Sequence, residues 1–165
     1  MMSPSKKILV LGLGNDLYGD DGIGLHAVRK IRKELEAEKG NNPGAAEVHC
    51  AESLLTGIAL LDVIAGYDAI VIVDVIKQQA PVTGRIHLLE GTSLRDIPGP
   101  SPHYVSVPQM MRIGRDLGLK VPNLVKVIAV EAKNIYHLGE GLSEDMAGCL
   151  PDIIQKIKDV LKDIA

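Results

Sequence analysis

Two adjacent carboxylates, Asp20 and Asp21, lie in a glycine-rich loop directly after an apolar run. In a dinucleotide-binding site, loop glycines let backbone amides and a helix N-terminus hold a pyrophosphate, which two carboxylates at the same place would repel. The third glycine of that fingerprint is also missing, because Leu17 takes its place. The loop therefore favours a metal ion over a nucleotide.

Two more polar residues could act together with this pair. Asp74 follows the aliphatic run 70–73, where a carboxylate is costly unless something at the end of the strand pairs with it. His103 lies in a segment rich in proline and glycine. Asp21, Asp74 and His103, with positions left for water or substrate, would make an open site for a divalent cation such as Ni²⁺ or Zn²⁺. These residue types do not decide between the two metals.

Each of these residues also has a purely structural interpretation. Acidic residues are favoured at helix N-termini, so Asp20 is better explained as a cap or dipole partner than as a ligand. Asp21 taken alone would be explained in the same way, and a lone His103 would be a surface residue. The functional interpretation therefore depends on whether the fold brings Asp21, Asp74 and His103 together.

The elements that would position these residues alternate between strands and helices. Aliphatic runs predict five strands, at residues 7–12, 47–51, 69–75, 85–90 and 124–130. Apolar residues at helical spacing predict helices between most of them, the first over residues 23–35. The last helix runs toward the C-terminus, and its start stays open because Ser143 is a good cap but Pro151 would lie in the helix interior.

One connection departs from this alternation. Residues 76–84 are too few for a crossover helix, so a hairpin is predicted there, with 85–90 as an antiparallel edge strand. The fold class that follows is α/β, a three-layer αβα sandwich with a mostly parallel five-stranded sheet and one antiparallel edge strand. A length of 165 residues fits a single domain, residues 1–165.

This topology gathers the candidate residues at one edge of the sheet. In open α/β sheets, ligands bind beyond the carboxyl ends of the strands. Asp21 follows the first strand and Asp74 ends the third. The segment 91–105 could span about 45 Å if extended, which is enough to return His103 along a strand to that edge.

Composition excludes several classes of function. The net charge is −3 and only 2% of residues are aromatic, with no Trp or Phe, so neither a basic footprint nor base-stacking platforms for nucleic acid are expected. No apolar run approaches the roughly 20 residues that span a bilayer. Residues 1–7 lack an apolar signal-peptide core, which predicts a cytoplasmic protein.

Hydrolytic signatures that use other chemistry are missing. The sequence contains no GxSxG elbow, no HExxH helix, and no cysteine placed near a histidine by a recognisable motif. If the chain is a hydrolase, a metal is therefore the best available electrophile.

Four segments resemble the hydrogenase maturation endopeptidases, which trim the C-terminal extension from the large-subunit precursor of nickel-iron hydrogenases. They are ILVLGLGN at 8–15, GDDGIG at 19–24, IVDV at 72–75 and SPH at 101–103. The resemblance extends over nearly the whole chain, and it implies a metal-dependent endopeptidase.

The resemblance implies that Asp21, Asp74 and His103 bind the metal. It also implies that the metal is nickel already inserted into the precursor, although zinc or another divalent ion could occupy such a site. Two features depart from the family pattern. The segment 129–133 replaces a Gly-Ile-Gln/Glu-Pro-like segment, and Asp21 is shorter than the Glu that some members carry.

Two rival functions remain at this point. A peptidyl-tRNA hydrolase opens with a similar Gly-Leu-Gly-Asn strand end, but its following Tyr-x-x-Thr-Arg-His-Asn signature is replaced here by residues 18–23, and the net negative charge is unfavourable for RNA. A nickel-handling chaperone or adaptor would keep the same ligands but would bind without proteolysis.

Overall fold

Five strands form one sheet with helices on both faces in a computed structural model, which describes residues 5–38, 45–55, 57–91, 94, 107–133 and 135–165. The strands are β1 (Lys7–Leu13), β2 (Glu47–Ser53), β3 (Ala69–Ile76), β4 (Ile86–Glu90) and β5 (Leu124–Glu131). The helices are α1 (Ile23–Ala37), α2 (Leu61–Ile64), α3 (Val107–Asp116) and α4 (Glu144–Ile164), and 3₁₀ turns at Gly19–Gly22 and Gly57–Leu60 precede α1 and α2. The predicted α/β fold class is confirmed.

The strand order is β2-β1-β3-β5-β4, and only β4 is antiparallel to its neighbour. The predicted antiparallel edge strand is thus confirmed, but the predicted hairpin is wrong, because β4 pairs with β5 and not with β3. The connection 77–85 crosses β5 instead. It must span two strand spacings, about 10 Å, which nine residues reach easily.

Alternating side chains divide the core into two halves. Val10 and Val71 face one side of the sheet, where α1 and α4 pack, and Leu11 and Ile72 face the other, where α2 and α3 pack. Every residue of β3 is buried, which agrees with a central parallel strand covered on both faces. The helices therefore hold the sheet from both sides and leave its carboxyl edge to the loops.

Helix α4 begins after Ser143, whose hydroxyl accepts a hydrogen bond from the Met146 amide at 3.2 Å. The start of the last helix, which the sequence left open, is therefore at the Ser143 cap. The helix continues through Pro151 to Ile164. In the described part of the chain, no helix combines the length and the apolar character needed to cross a membrane.

Candidate active site

Asp21 lies on the 3₁₀ turn that joins β1 to α1, and only 6% of its surface is exposed. Its amide donates to the Tyr18 carbonyl at 3.1 Å. Its own carbonyl oxygen lies against Gly14, where an added Cβ would come within 2.0 Å, and Gly14 has a φ of 145°. Glycine at position 14 is what lets the turn carrying Asp21 approach the end of β1 this closely.

Asp74 lies near the carboxyl end of β3 and is fully buried. One of its carboxylate oxygens, Oδ1, accepts from the Val75 amide at 2.7 Å. Gly12 of β1 pairs with Val73, the residue before Asp74. Asp74 therefore lies beside the carboxyl end of β1.

Close backbone packing joins these two parts of the edge. Gly24, in the first turn of α1, lies between β1 and β3, so that a Cβ there would meet the Val73 carbonyl oxygen at 2.3 Å and the Leu13 carbonyl oxygen at 2.4 Å. The 3₁₀ turn itself contacts β3. Because Gly24 is three residues after Asp21, and Val73 adjoins Asp74, the structure brings both aspartates to the same edge of the sheet.

His103 lies outside the residues that the structure describes, so its role as the third ligand stays a prediction. Within the described ranges, no three His, Cys, Asp or Glu side chains are grouped so as to hold a metal ion. Asp21 and Asp74 fit the chemistry of a divalent cation, because they place carboxylate oxygens in a buried setting at one edge. A complete ligand set would need a donor from elsewhere.

Another buried carboxylate, Glu131, ends β5 at the same edge, although it was not among the site residues predicted from the sequence. It accepts hydrogen bonds of 2.7 Å from the Val82 amide and from His87 Nε2, and Arg85 lies 3.7 Å away. Burial raises the pKa of the Glu131 carboxyl, but these hydrogen bonds and the nearby positive charges outweigh burial and hold the pKa below its ordinary value. Glu131 thus fixes the connection between β3 and β4.

An ion-pair network lies beside the site, between the ends of β1 and β2. The Arg29 guanidinium contacts carboxylate oxygens of Asp16 and Glu52, each at 2.8 Å. Those hydrogen bonds raise the pKa of Arg29. An open pocket of about 370 Å³ adjoins the network and is lined in part by Leu17 and Leu54. The edge therefore combines fixed charges with apolar walls.

Large apolar side chains are exposed on the loops that follow three of the strands at this edge. Leu17 follows β1, Leu54 and Ile58 follow β2, and Tyr136 and Leu138 follow β5. Leu54 is 63% exposed and Leu138 is 72% exposed. Apolar surface gathered around a site is typical of surfaces that bind another protein.

Comparisons with known proteins agree with this fold. No family model matches the chain. The hydrogenase expression/formation protein HupD of Rhizobium leguminosarum bv. viciae is 23% identical over 162 residues, which cover 96% of this chain and 76% of HupD. The hydrogenase maturating endopeptidase HybD from E. coli has a TM-score of 0.72 at 22% identity, covering 96% of this chain and 94% of its own. The HybD [NiFe] hydrogenase maturation protease from Thermococcus kodakarensis has a TM-score of 0.69 at 22% identity, covering 94% of this chain and 99% of its own.

These likenesses span almost the full length of the chain. The solved structures share its fold, and the sequence match with HupD covers 96% of the chain. The chain resembles the hydrogenase maturation endopeptidases, as the sequence predicted.

Proposed function

We propose that this chain is an endopeptidase that removes the C-terminal extension of a nickel-iron hydrogenase large-subunit precursor after nickel insertion. The observation that carries the proposal is the pair of buried carboxylates, Asp21 and Asp74, at the carboxyl edge of a fold shared with hydrogenase maturation proteases. We infer that residues 1–165 act as one domain of this kind in the cytoplasm, where the precursor would be met.

In this proposal the nickel ion belongs to the substrate, and Asp21, Asp74 and His103 complete its coordination. His103 precedes the first residue of α3, Val107, by four positions. After α3, the Lys120 carbonyl accepts from the Gly66 amide at 2.7 Å, and Gly66 lies just before β3. Helix α3 therefore runs toward the amino edge of the sheet. Its first residue consequently lies nearer the carboxyl edge, which supports a role for His103 beside the two aspartates.

The shared metal would dock the precursor, and a bound cation can also polarise a carbonyl or activate a water. The apolar side chains around the edge suit a protein substrate, since they offer contact area for a segment of the precursor. Asp21 and Asp74 would bind no ion before the substrate arrives, because the substrate brings the ion.

The test is processing of nickel-loaded and nickel-free precursor, followed by mass spectrometry for loss of a discrete C-terminal peptide. Wild-type protein should cleave only the loaded precursor. Asp74→Ala and His103→Ala should each slow cleavage roughly 100-fold or more, because each removes a metal contact worth several kcal/mol. Asp152→Asn, which removes an exposed carboxylate on α4, should leave the rate unchanged.

Equal cleavage in every combination of protein and precursor would rule out the metal-recognition proposal. Binding of the loaded precursor without release of a peptide would instead favour the chaperone or adaptor.

A further inference from the structure

The carboxylate of Asp20 reaches across the fold to the start of α4. Asp20 is 6% exposed, and its two oxygens accept from the amide and from the hydroxyl of Ser143, each at 2.8 Å. Ser143 in turn caps α4 by accepting from the Met146 amide. Asp20 therefore supports the N-terminus of α4, although the sequence places it immediately before α1.

The backbone joins the same two loops at a second place. The Gly19 amide donates to the Gly139 carbonyl at 2.8 Å, and the Gly139 amide donates to the Leu17 carbonyl at 3.0 Å. Tyr18 and Gly139 thus form an isolated β-bridge between the loop after β1 and the loop after β5. Together with the bonds from Asp20, this bridge fastens the 3₁₀ turn to residues 139–143.

That turn has little freedom to move independently. It contains only Gly19–Gly22, so Asp20 and Asp21 are consecutive residues of one short turn. On the other side, the carbonyl of Asp21 rests against Gly14. We therefore expect a change in the bonds that hold Asp20 to shift the backbone of Asp21.

We propose that Asp20 is a positioning residue, which fixes the turn that carries Asp21 through its bonds to Ser143 and so sets the placement of the Asp21 carboxylate. The inference rests on the proposed function of Asp21. It assigns different roles to two adjacent aspartates. Asp21 would contact the metal ion, and Asp20 would hold the backbone of Asp21 in position. Both oxygens of Asp20 are engaged by Ser143, which agrees with a role other than metal binding.

The first measurement needs no substrate. Hydrogen exchange by mass spectrometry should show faster exchange in residues 18–23 and also in residues 139–146 for Asp20→Asn and for Ser143→Ala. Asp145→Asn is the matched control, because it removes an exposed carboxylate from the first turn of α4 and should leave residues 18–23 unchanged. Faster exchange confined to one of the two segments would overturn the coupling.

The second measurement is processing of nickel-loaded precursor by the same variants, below the temperature at which any of them unfolds. Asp20→Asn should lower kcat/KM roughly 10- to 100-fold, because small displacements of reacting groups are costly. Ser143→Ala keeps the backbone amide and should lose less, whereas Ser143→Thr keeps both donors and should restore the wild-type rate. Asp20→Asn combined with Ser143→Ala should be no slower than Asp20→Asn alone.

Two outcomes separate this inference from the proposed function. If wild-type protein fails to cleave the precursor, the proposed function fails, whatever the exchange data show. If wild-type protein cleaves and folded Asp20→Asn cleaves equally fast despite faster exchange, Asp20 is only a structural support and the positioning role is wrong.

Discussion

Three of the four carboxylates buried at one edge of the sheet have different hydrogen-bond partners. Asp20 binds the cap of α4, and Glu131 binds the connection between β3 and β4. Asp74 accepts from the next amide of its own strand. A buried carboxylate costs several kcal/mol when it has no partner, so each of these contacts contributes to the stability of the edge.

The contacts of Glu131 predict a pH dependence of stability. Its folded pKa lies below the ordinary value of 4.5, so its contribution is fully present above that pH and is lost as the pH falls through the folded pKa. Glu131→Gln should lower the free energy of unfolding by about 1–3 kcal/mol at neutral pH, because the amide keeps one acceptor oxygen for the two donors, Val82 and His87, and has no charge to pair with Arg85.

Urea unfolding between neutral pH and about pH 3 measures both effects, since the gap between wild type and Glu131→Gln should narrow as the pH falls. His87 and Arg85 face the same carboxylate, so His87→Asn and Arg85→Gln serve as matched variants. A gap that stays constant across this range would contradict the assignment.

Residue types alone identified part of this edge. Asp74 was predicted as a site residue because it is a carboxylate that ends an aliphatic run. The same is true of Glu131, so Glu131 could also have been predicted from the sequence. The cap expected from Asp20 at the start of α1 is not formed, because no side chain caps α1. Asp20 instead accepts from Ser143, the cap of α4, which is 123 residues away in the sequence. No local pattern contains such a partner, because it depends on how distant loops meet.

At the scale of elements, α1 approaches the sheet more closely than most side chains would allow. A Cβ on Gly12 would lie 2.3 Å from the Gly24 carbonyl oxygen, and Gly24 meets the backbones of β1 and β3 in the same way. This contact of backbone with backbone holds the start of α1, and the turn that carries Asp21, close to β3. Neither partner can give way as a flexible side chain would.

Two helical glycines should therefore respond to alanine with opposite signs. Gly24→Ala should destabilise the fold by about 3 kcal/mol, because its Cβ would overlap backbone atoms. Gly148→Ala in α4 should stabilise it by about 0.5–1 kcal/mol, because that site is open and alanine favours the helix. Urea titration of both variants gives the comparison, and a neutral Gly24→Ala would contradict the close approach.

Periodicity was sufficient to find every strand to within two residues at each end, because aliphatic runs bounded by polar segments report burial directly. The neighbour of β4 could not be obtained in this way. Pairing depends on the order of strands in the sheet, and a short connection is compatible both with a hairpin and with a crossing over β5. The segment that carries His103 lies outside the described residues, so that part of the predicted site stays a prediction.

At the scale of the whole molecule, the two ends of the sheet differ. The carboxyl edge carries buried carboxylates, the Arg29 ion pairs and exposed apolar side chains such as Leu54 and Leu138. The amino edge also exposes an apolar residue, Leu117, which follows α3 and is 66% exposed. If the carboxyl edge binds the precursor, only apolar residues at that edge should matter for binding.

Leu54→Asp and Leu138→Asp should each raise the KM for nickel-loaded precursor roughly tenfold, which corresponds to a loss of about 1.4 kcal/mol of binding. Stability should change by less than about 0.5 kcal/mol, since both side chains are largely exposed. Leu117→Asp is the matched control and should leave KM unchanged. Equal effects of all three substitutions in a processing assay would argue against docking at the carboxyl edge.

The position of β5 has a consequence for the order in which the chain folds. β5 is the last strand in the sequence, yet it lies between β3 and β4. Until residues 124–131 leave the ribosome, β3 has a neighbour on one side only and β4 has none. Nascent chains would thus expose open strand edges that invite self-association, and the sheet closes only when most of the polypeptide has been made.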